Sequence, residues 1–125
     1  MYNVEFYTKA NGEKPAWAFI TSFEEKIQAK LLRGITLLEN NGPELRRPHS
    51  TKLDDKIFEL RVQEGNNIFR VLYFFFIGKR IVMTHGFVKK TQKTPPGEIK
   101  RAKSYMNDFL RQETEKTKKE QEEKK

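Results

Sequence analysis

The sequence predicts one α+β domain in which a small antiparallel sheet follows an N-terminal helical hairpin and is closed by a C-terminal helix. Three observations carry this. Residues 56–87 contain three strand-like runs separated by Gly65-Asn66 and Gly78-Lys79. Residues 15–38 and 99–109 place apolar side chains at helical spacing. A chain of 125 residues is long enough to bury one core and too short for two.

Taken in order, Tyr2, Val4 and Phe6 alternate with Asn3, Glu5 and Tyr7, the period of a strand with one buried face, and Asn11-Gly12 turns the chain. Pro15 suits the first position of a helix whose face is Trp17, Phe19 and Ile20. Ser22 and Glu25 read as a capping box that starts a second helix at Ser22. Its stripe of Ile27, Leu31, Ile35 and Leu38 ends at Asn40-Asn41-Gly42-Pro43, and the two helices form a hairpin. Gly34 within the stripe lowers helix propensity and so points to a close neighbour. Residues 44–55 read as a basic loop with Arg46, Arg47, His49 and Lys52. Strands are expected at 56–62, 68–76 and 80–87, then a helix capped by Thr94 with Pro95 as its first residue. The last fourteen residues, 112–125, hold five Lys and five Glu and no apolar side chain. They are expected to form a charged tail or helical extension beyond a domain of residues 1–111.

The chain carries Lys+Arg 25 against Asp+Glu 17, a net charge of +8, which makes an acidic partner such as nucleic acid the leading expectation. Residues 79–103 concentrate eight cations against Glu98 alone, either as a solvated face or as a phosphate-binding surface. Cys 0 removes disulfides, thiolate metal ligands and cysteine nucleophiles and leaves only His49 and His85 as imidazole donors, so a closed structural zinc site is not expected, and no residue pattern calls for a cofactor. The longest apolar run, residues 71–77, is too short to span a bilayer, and the first nine residues do not resemble a secretion signal; a cytoplasmic protein is the expectation. No nucleotide-binding glycine loop, HExxH or GxSxG string occurs.

If Gly65-Asn66 is a two-residue hairpin loop, opposed residues have numbers summing to 131, and Arg61 faces Arg70. Like charges so placed repel unless an anion lies between them. Glu59 is one such anion and an incoming phosphodiester another, so the pair is either the floor of a phosphate site or two separately bridged arginines. With Gly78-Lys79 as the next turn, sums of 157 place His85 across from Leu72, on the face of Arg70. His85 is then either a general acid or base or a hydrogen-bonded core residue. Lys89, Lys90 and Lys93 leave the last strand on a loop that either steers phosphate or only solubilises. Arg70, read as a polar-face residue, is expected to be removable without loss of the fold.

Lys52-Leu53, then residues 57–61 (IFELR), 69–74 (FRVLYF) and 85–95 (HGFVKKTQKTP), in that order after a strand and a helical hairpin, resemble the phage-derived HigB-like branch of the RelE toxin superfamily over residues 1–110. The resemblance implies a RelE-like fold and the toxin half of a type II toxin–antitoxin pair. It implies ribosome-dependent, metal-independent mRNA cleavage by the RNA 2′-hydroxyl, and a cognate HigA-like, DNA-binding antitoxin. Matched to the family's motif, Arg70 leads the expected catalytic residues, followed by Arg61 and Lys52, with Lys52, Glu59 and His85 the candidates for proton transfer. Arg46, Arg47, Lys89, Lys90 and Lys93 are the expected RNA contacts. Relatives carry a Tyr or His near the C-terminus where this chain has Thr94-Pro95-Pro96. The competing functions are a non-cutting, ParE-like toxin that blocks a protein target and a simple RNA-binding module.

Overall fold

The computed structural model describes residues 1–89 and 92–123. The elements are β1 (Asn3–Phe6), α1 (Pro15–Thr21), α2 (Glu25–Asn41), a 3₁₀ turn (Gly42–Glu44), β2 (Ser50–Lys52), β3 (Phe58–Glu64), β4 (Asn67–Phe76), β5 (Arg80–Lys89) and α3 (Pro96–Glu123). Five strands form one sheet in the order β1-β5-β4-β3-β2. β2 to β5 are antiparallel, and β1 adds to β5 in parallel, from Asn3 opposite Arg80 to Phe6 opposite Met83. A parallel pair needs a crossover. Here the chain leaves one edge as β1 and re-enters at the other as β2, so α1 and α2 are drawn across the whole of one face.

Strand parity then divides the core. Leu60, Val71, Tyr73 and Met83 face Ile20, Leu31, Ile35 and Leu38 of the hairpin, while Leu72, Phe74 and Val82 face Ala102, Met106 and Phe109 of α3. β4 is therefore covered on both sides, which fits its continuous apolar and aromatic run. The close neighbour of Gly34 is β3, where a Cβ would stand 3.2 Å from Val62 Cγ2 and 3.4 Å from Leu60 Cδ2.

Several local expectations are corrected. Ser22 does not cap α2: its hydroxyl donates to the Phe19 carbonyl at 2.7 Å and ends α1, and α2 follows Glu24 with no side-chain cap. α3 starts at Pro96, one residue later than expected, because the Thr94 hydroxyl is engaged elsewhere. Residues 50–52, read as loop, form β2 by pairing with β3. β3 starts at Phe58 because the Asp54 side chain accepts from the Lys56 and Ile57 amides in a turn.

The Gly65-Asn66 register holds at every pair, with Glu64 opposite Asn67 and Arg61 opposite Arg70. The next hairpin differs: Phe76 pairs with Arg80 around three residues, and a bulge between Leu72 and Tyr73 restores the expected pairing of Leu72 with His85. Lys89 closes β5 opposite Ile68 and is not on a loop. α3 runs unbroken to Glu123, with the Glu113 carboxylate 2.7 Å from Arg80. No helix among the described residues is long and apolar enough to cross a membrane.

Gly86 lies where α1 crosses β5, and a Cβ there would fall 2.2 Å from the Phe19 ring. Gly86→Ala is expected to destabilise the domain by about 1–3 kcal/mol, the usual range for overpacking. The urea midpoint checks this; an unchanged midpoint would mean that the ring moves aside freely.

Candidate active site

Glu59 and Arg61 are two residues apart on β3 and share its α3-side face, where Arg70 of β4 stands opposite Arg61. The two cations converge on the one carboxylate. Arg70 Nη1 lies 3.5 Å from Glu59 Oε1, and Arg61 Nε lies 3.5 Å from Glu59 Oε2. The connection from β5 into α3 completes the cluster. The Thr94 hydroxyl donates to Glu59 Oε1 and accepts from Arg70 Nη1 at 3.0 Å, and Arg61 Nη2 donates to Gln92 Oε1 at 2.6 Å.

Burial separates the two arginines. Arg70 is 0% exposed and Glu59 1%, whereas the Arg61 side chain keeps 16% of its surface open. Burial is the largest influence on Arg70 and lowers its affinity for its proton, opposed by the Glu59 charge, with the Arg61 charge lowering it further. Arg70 is thus no removable polar-face residue. It is half of a buried ion pair, and its guanidinium also lies 6.0 Å from the Phe87 ring.

Above this cluster opens a pocket of about 420 Å³, lined by Arg47, Thr51, Lys52, Arg61, Lys93 and Thr94 around Glu59. Beyond Arg61 a second hollow of about 270 Å³ is bounded by His49, Gln63 and Gln92. Strand alternation puts Thr51, not Lys52, on the face of Glu59: Thr51 pairs with Glu59, and Lys52 pairs with Phe58, its ammonium 6.0 Å from that ring. Lys52 therefore borders the pocket from its edge. Arg46 is exposed and donates to the Pro43 carbonyl at 2.7 Å, outside the pocket lining, and Lys89 is exposed at the end of β5. Lys90 lies outside the described residues.

His85 shares the face of Arg70 but is buried under α3, between Phe87 and the edge of Tyr105. Nδ1 meets the Thr84 hydroxyl at 3.1 Å, and Nε2 stands 3.7 Å from Glu98, beyond hydrogen-bond reach. Burial, helped by the Arg101 charge, pushes its pKa down to about 4, so the ring is neutral at pH 7. Among the described residues no group of three or more His, Asp or Glu is arranged to hold a metal ion.

Thr94, expected only as a helix cap, and Thr51 are site residues that the sequence does not single out, whereas Gln92 is legible as a hydrogen-bonding group on the lysine loop and His49 as a member of the basic loop. Thr94 lies inside the 85–95 string and has that signal; Thr51 becomes visible only once β2 is known to pair with β3. With the geometry in place, comparison with known proteins is informative: the model of the family described as "Phage derived protein Gp49-like (DUF891)" matches residues 18–107. No curated protein matches the chain.

Two outcomes follow from the buried groups. Arg70→Ala leaves the buried Glu59 with only the partly exposed Arg61 and Thr94 as partners and is expected to cost about 3 kcal/mol in chemical denaturation, with much of it recovered in the Glu59→Gln, Arg70→Met double variant. A loss in the double variant equal to the sum of the Glu59→Gln and Arg70→Met losses would show that the charges are not coupled. For His85, a folded pKa below the unfolded value of about 6.5 means that the unfolded chain binds more protons between pH 6.5 and 4. Its contribution, up to about 3 kcal/mol, is present above pH 6.5 and lost as pH falls toward 4. Unfolding measured across that window should show a slope that His85→Phe flattens; an unaltered slope would assign it to other groups.

Proposed function

The chain belongs to the Gp49-like family of phage-derived proteins, a RelE/HigB-like, toxin-type family, and from that premise we propose that it is the toxin of a type II toxin–antitoxin pair that cleaves mRNA on the ribosome without a metal. The observation that carries this reading is the convergence of Arg61 and Arg70 on Glu59 at the floor of a cation-rimmed pocket. RNA cleavage of this kind requires three things of a protein. The 2′-hydroxyl must lose a proton, the phosphorus must carry extra negative charge as the 2′-oxygen bonds to it, and the departing 5′-oxygen must gain a proton.

Each requirement has a candidate. Arg61, held by Gln92 at the pocket wall and still partly exposed, can turn its fork of donors onto the phosphate oxygens. Glu59, the one carboxylate among the described residues lining the pocket, accepts the 2′-hydroxyl proton, and Lys52 at the edge donates to the 5′-oxygen. Arg70 acts through Glu59, fixing the carboxylate from behind with Thr94. Arg47 and Lys93 at the rim, with Arg46 and Lys89 beyond it, hold the RNA backbone, a role that Lys90 shares by its match to the family's basic segment. His85, buried and neutral, supports the wall. The need for a 2′-hydroxyl makes RNA and not DNA the substrate. The family also suggests an antitoxin partner, and a HigA-like, DNA-binding protein is the form this proposal gives it.

Arg61→Gln is expected to lower cleavage about 100-fold or more, as loss of one donor to a developing anion does, while the protein stays folded. Induction followed by mapping of transcript 5′ ends checks this. New ends inside open reading frames that vanish in the variant support the assignment. Intact transcripts with DNA damage would assign growth arrest to a protein target such as gyrase, and RNA binding without arrest would reduce the protein to a binding module.

A further inference from the structure

We propose that the RNA strand does not stop at the Arg61 pocket but continues across the edge of α2, where Arg33 and His49 contact nucleotides flanking the scissile linkage; this rests on the endonuclease reading above. Three hollows meet at Arg61. The pocket over Glu59 and the hollow at Pro48 share Arg61 and Gln92, and that hollow shares Arg61, His49 and Gln63 with a third, of about 400 Å³, between α2 and β3. Together they make a continuous groove around the β2–β3 edge of the sheet.

The third hollow has the character of a single-strand track. Its floor is aliphatic, formed by Gly34, Leu37, Leu60 and Val62, and the missing side chain at Gly34 brings the helix close to β3 there. Such a floor accepts the flat face of an unstacked base, with phosphates held by cations at the rim. Those cations are Lys30, Arg33 and Arg61. Lys30 is taken by Glu64, which also holds Lys26, but Arg33 is exposed and has no ion pair among the described residues. No carboxylate lines this hollow or the one at Pro48 among the described residues, and with Lys30 held by Glu64 and Arg61 by Glu59, Arg33 is the cation left open to a phosphate of the ligand. Gln63 is the only amide side chain lining the third hollow among the described residues. Little there reads base edges, and binding at this end should tolerate any sequence.

The test measures binding of a short fluorescein-labelled single-stranded RNA of mixed sequence to the purified full-length protein over a range of potassium chloride concentrations. For a single strand, every phosphate that a protein cation neutralises adds about 0.7 to the steepness of log K against log salt. Arg33→Gln is expected to be shallower by that amount, and Arg33→Lys to restore the wild-type slope. Arg33 makes no ion pair among the described residues, so its thermal unfolding midpoint should be unchanged, which separates weakened RNA binding from a damaged fold. An unchanged slope in Arg33→Gln, or no measurable RNA affinity in the wild-type protein, would overturn the proposal. If transcript cleavage persists in either case, the endonuclease reading stands and only the extended track falls. An Arg33→Gln variant that binds RNA normally but escapes its antitoxin would give this face to a protein partner and equally overturn it.

Discussion

One buried carboxylate holds this site together. The Gly65-Asn66 turn sets a register that sends Arg61 and Arg70 to the same place on neighbouring strands, and two like charges so close would push the ribbons apart. Glu59, two residues before Arg61 and thus on the same face, gives one oxygen to each. Thr94 then ties the carboxylate to the chain entering α3. A buried ion pair of this kind is weak evidence for stability, because desolvation offsets the attraction. Its value is geometric: it fixes strand register, arginine orientation and the start of α3 in a single cluster, where a hydrophobic replacement would fix none of the hydrogen-bond directions.

The two-sided burial of β4 explains why one arginine is sealed and the other is open. β4 is central, with α1 and α2 on one face and α3 on the other, so an inward position such as Arg70 has no route to water. β3 has only the three-residue β2 outside it, so Arg61 remains at the pocket wall. The same guanidinium chemistry thus divides into a positioning group and a ligand-facing group through strand order alone.

Much of this was legible in the residues because it depends on local rules. Turn chemistry at Gly65-Asn66 gave the arginine pair and its partner Glu59, and apolar spacing gave the helices. What escaped was tertiary. The burial of Arg70 follows from where α3 packs, which no period in residues 68–76 encodes. Lys52 enters the site through its match to the family motif, but its facing is decided by pairing with Phe58, and a three-residue strand has too short a pattern to announce itself. Ser22 carries a sound capping signal, yet its hydroxyl finds the Phe19 carbonyl first. His85 was placed correctly opposite Leu72 through a two-residue turn that is in fact three residues followed by a bulge, two departures that cancel.

Charge pairing ties down several cations away from the site: Arg80 with Glu5 and Glu113, Lys26 and Lys30 with Glu64, Lys103 with Asp54, Arg111 with Asp108 and Glu115. Around the pocket, Arg47, Lys52 and Lys93 have no carboxylate partner among the described residues, and the single acid beneath them is already shared by two arginines. A concave surface lined by one sign of charge focuses its field on the cavity instead of spreading it over the molecule. At this rim the chain sets cations without carboxylate partners among the described residues, and a phosphate arriving there replaces water without displacing any carboxylate from them.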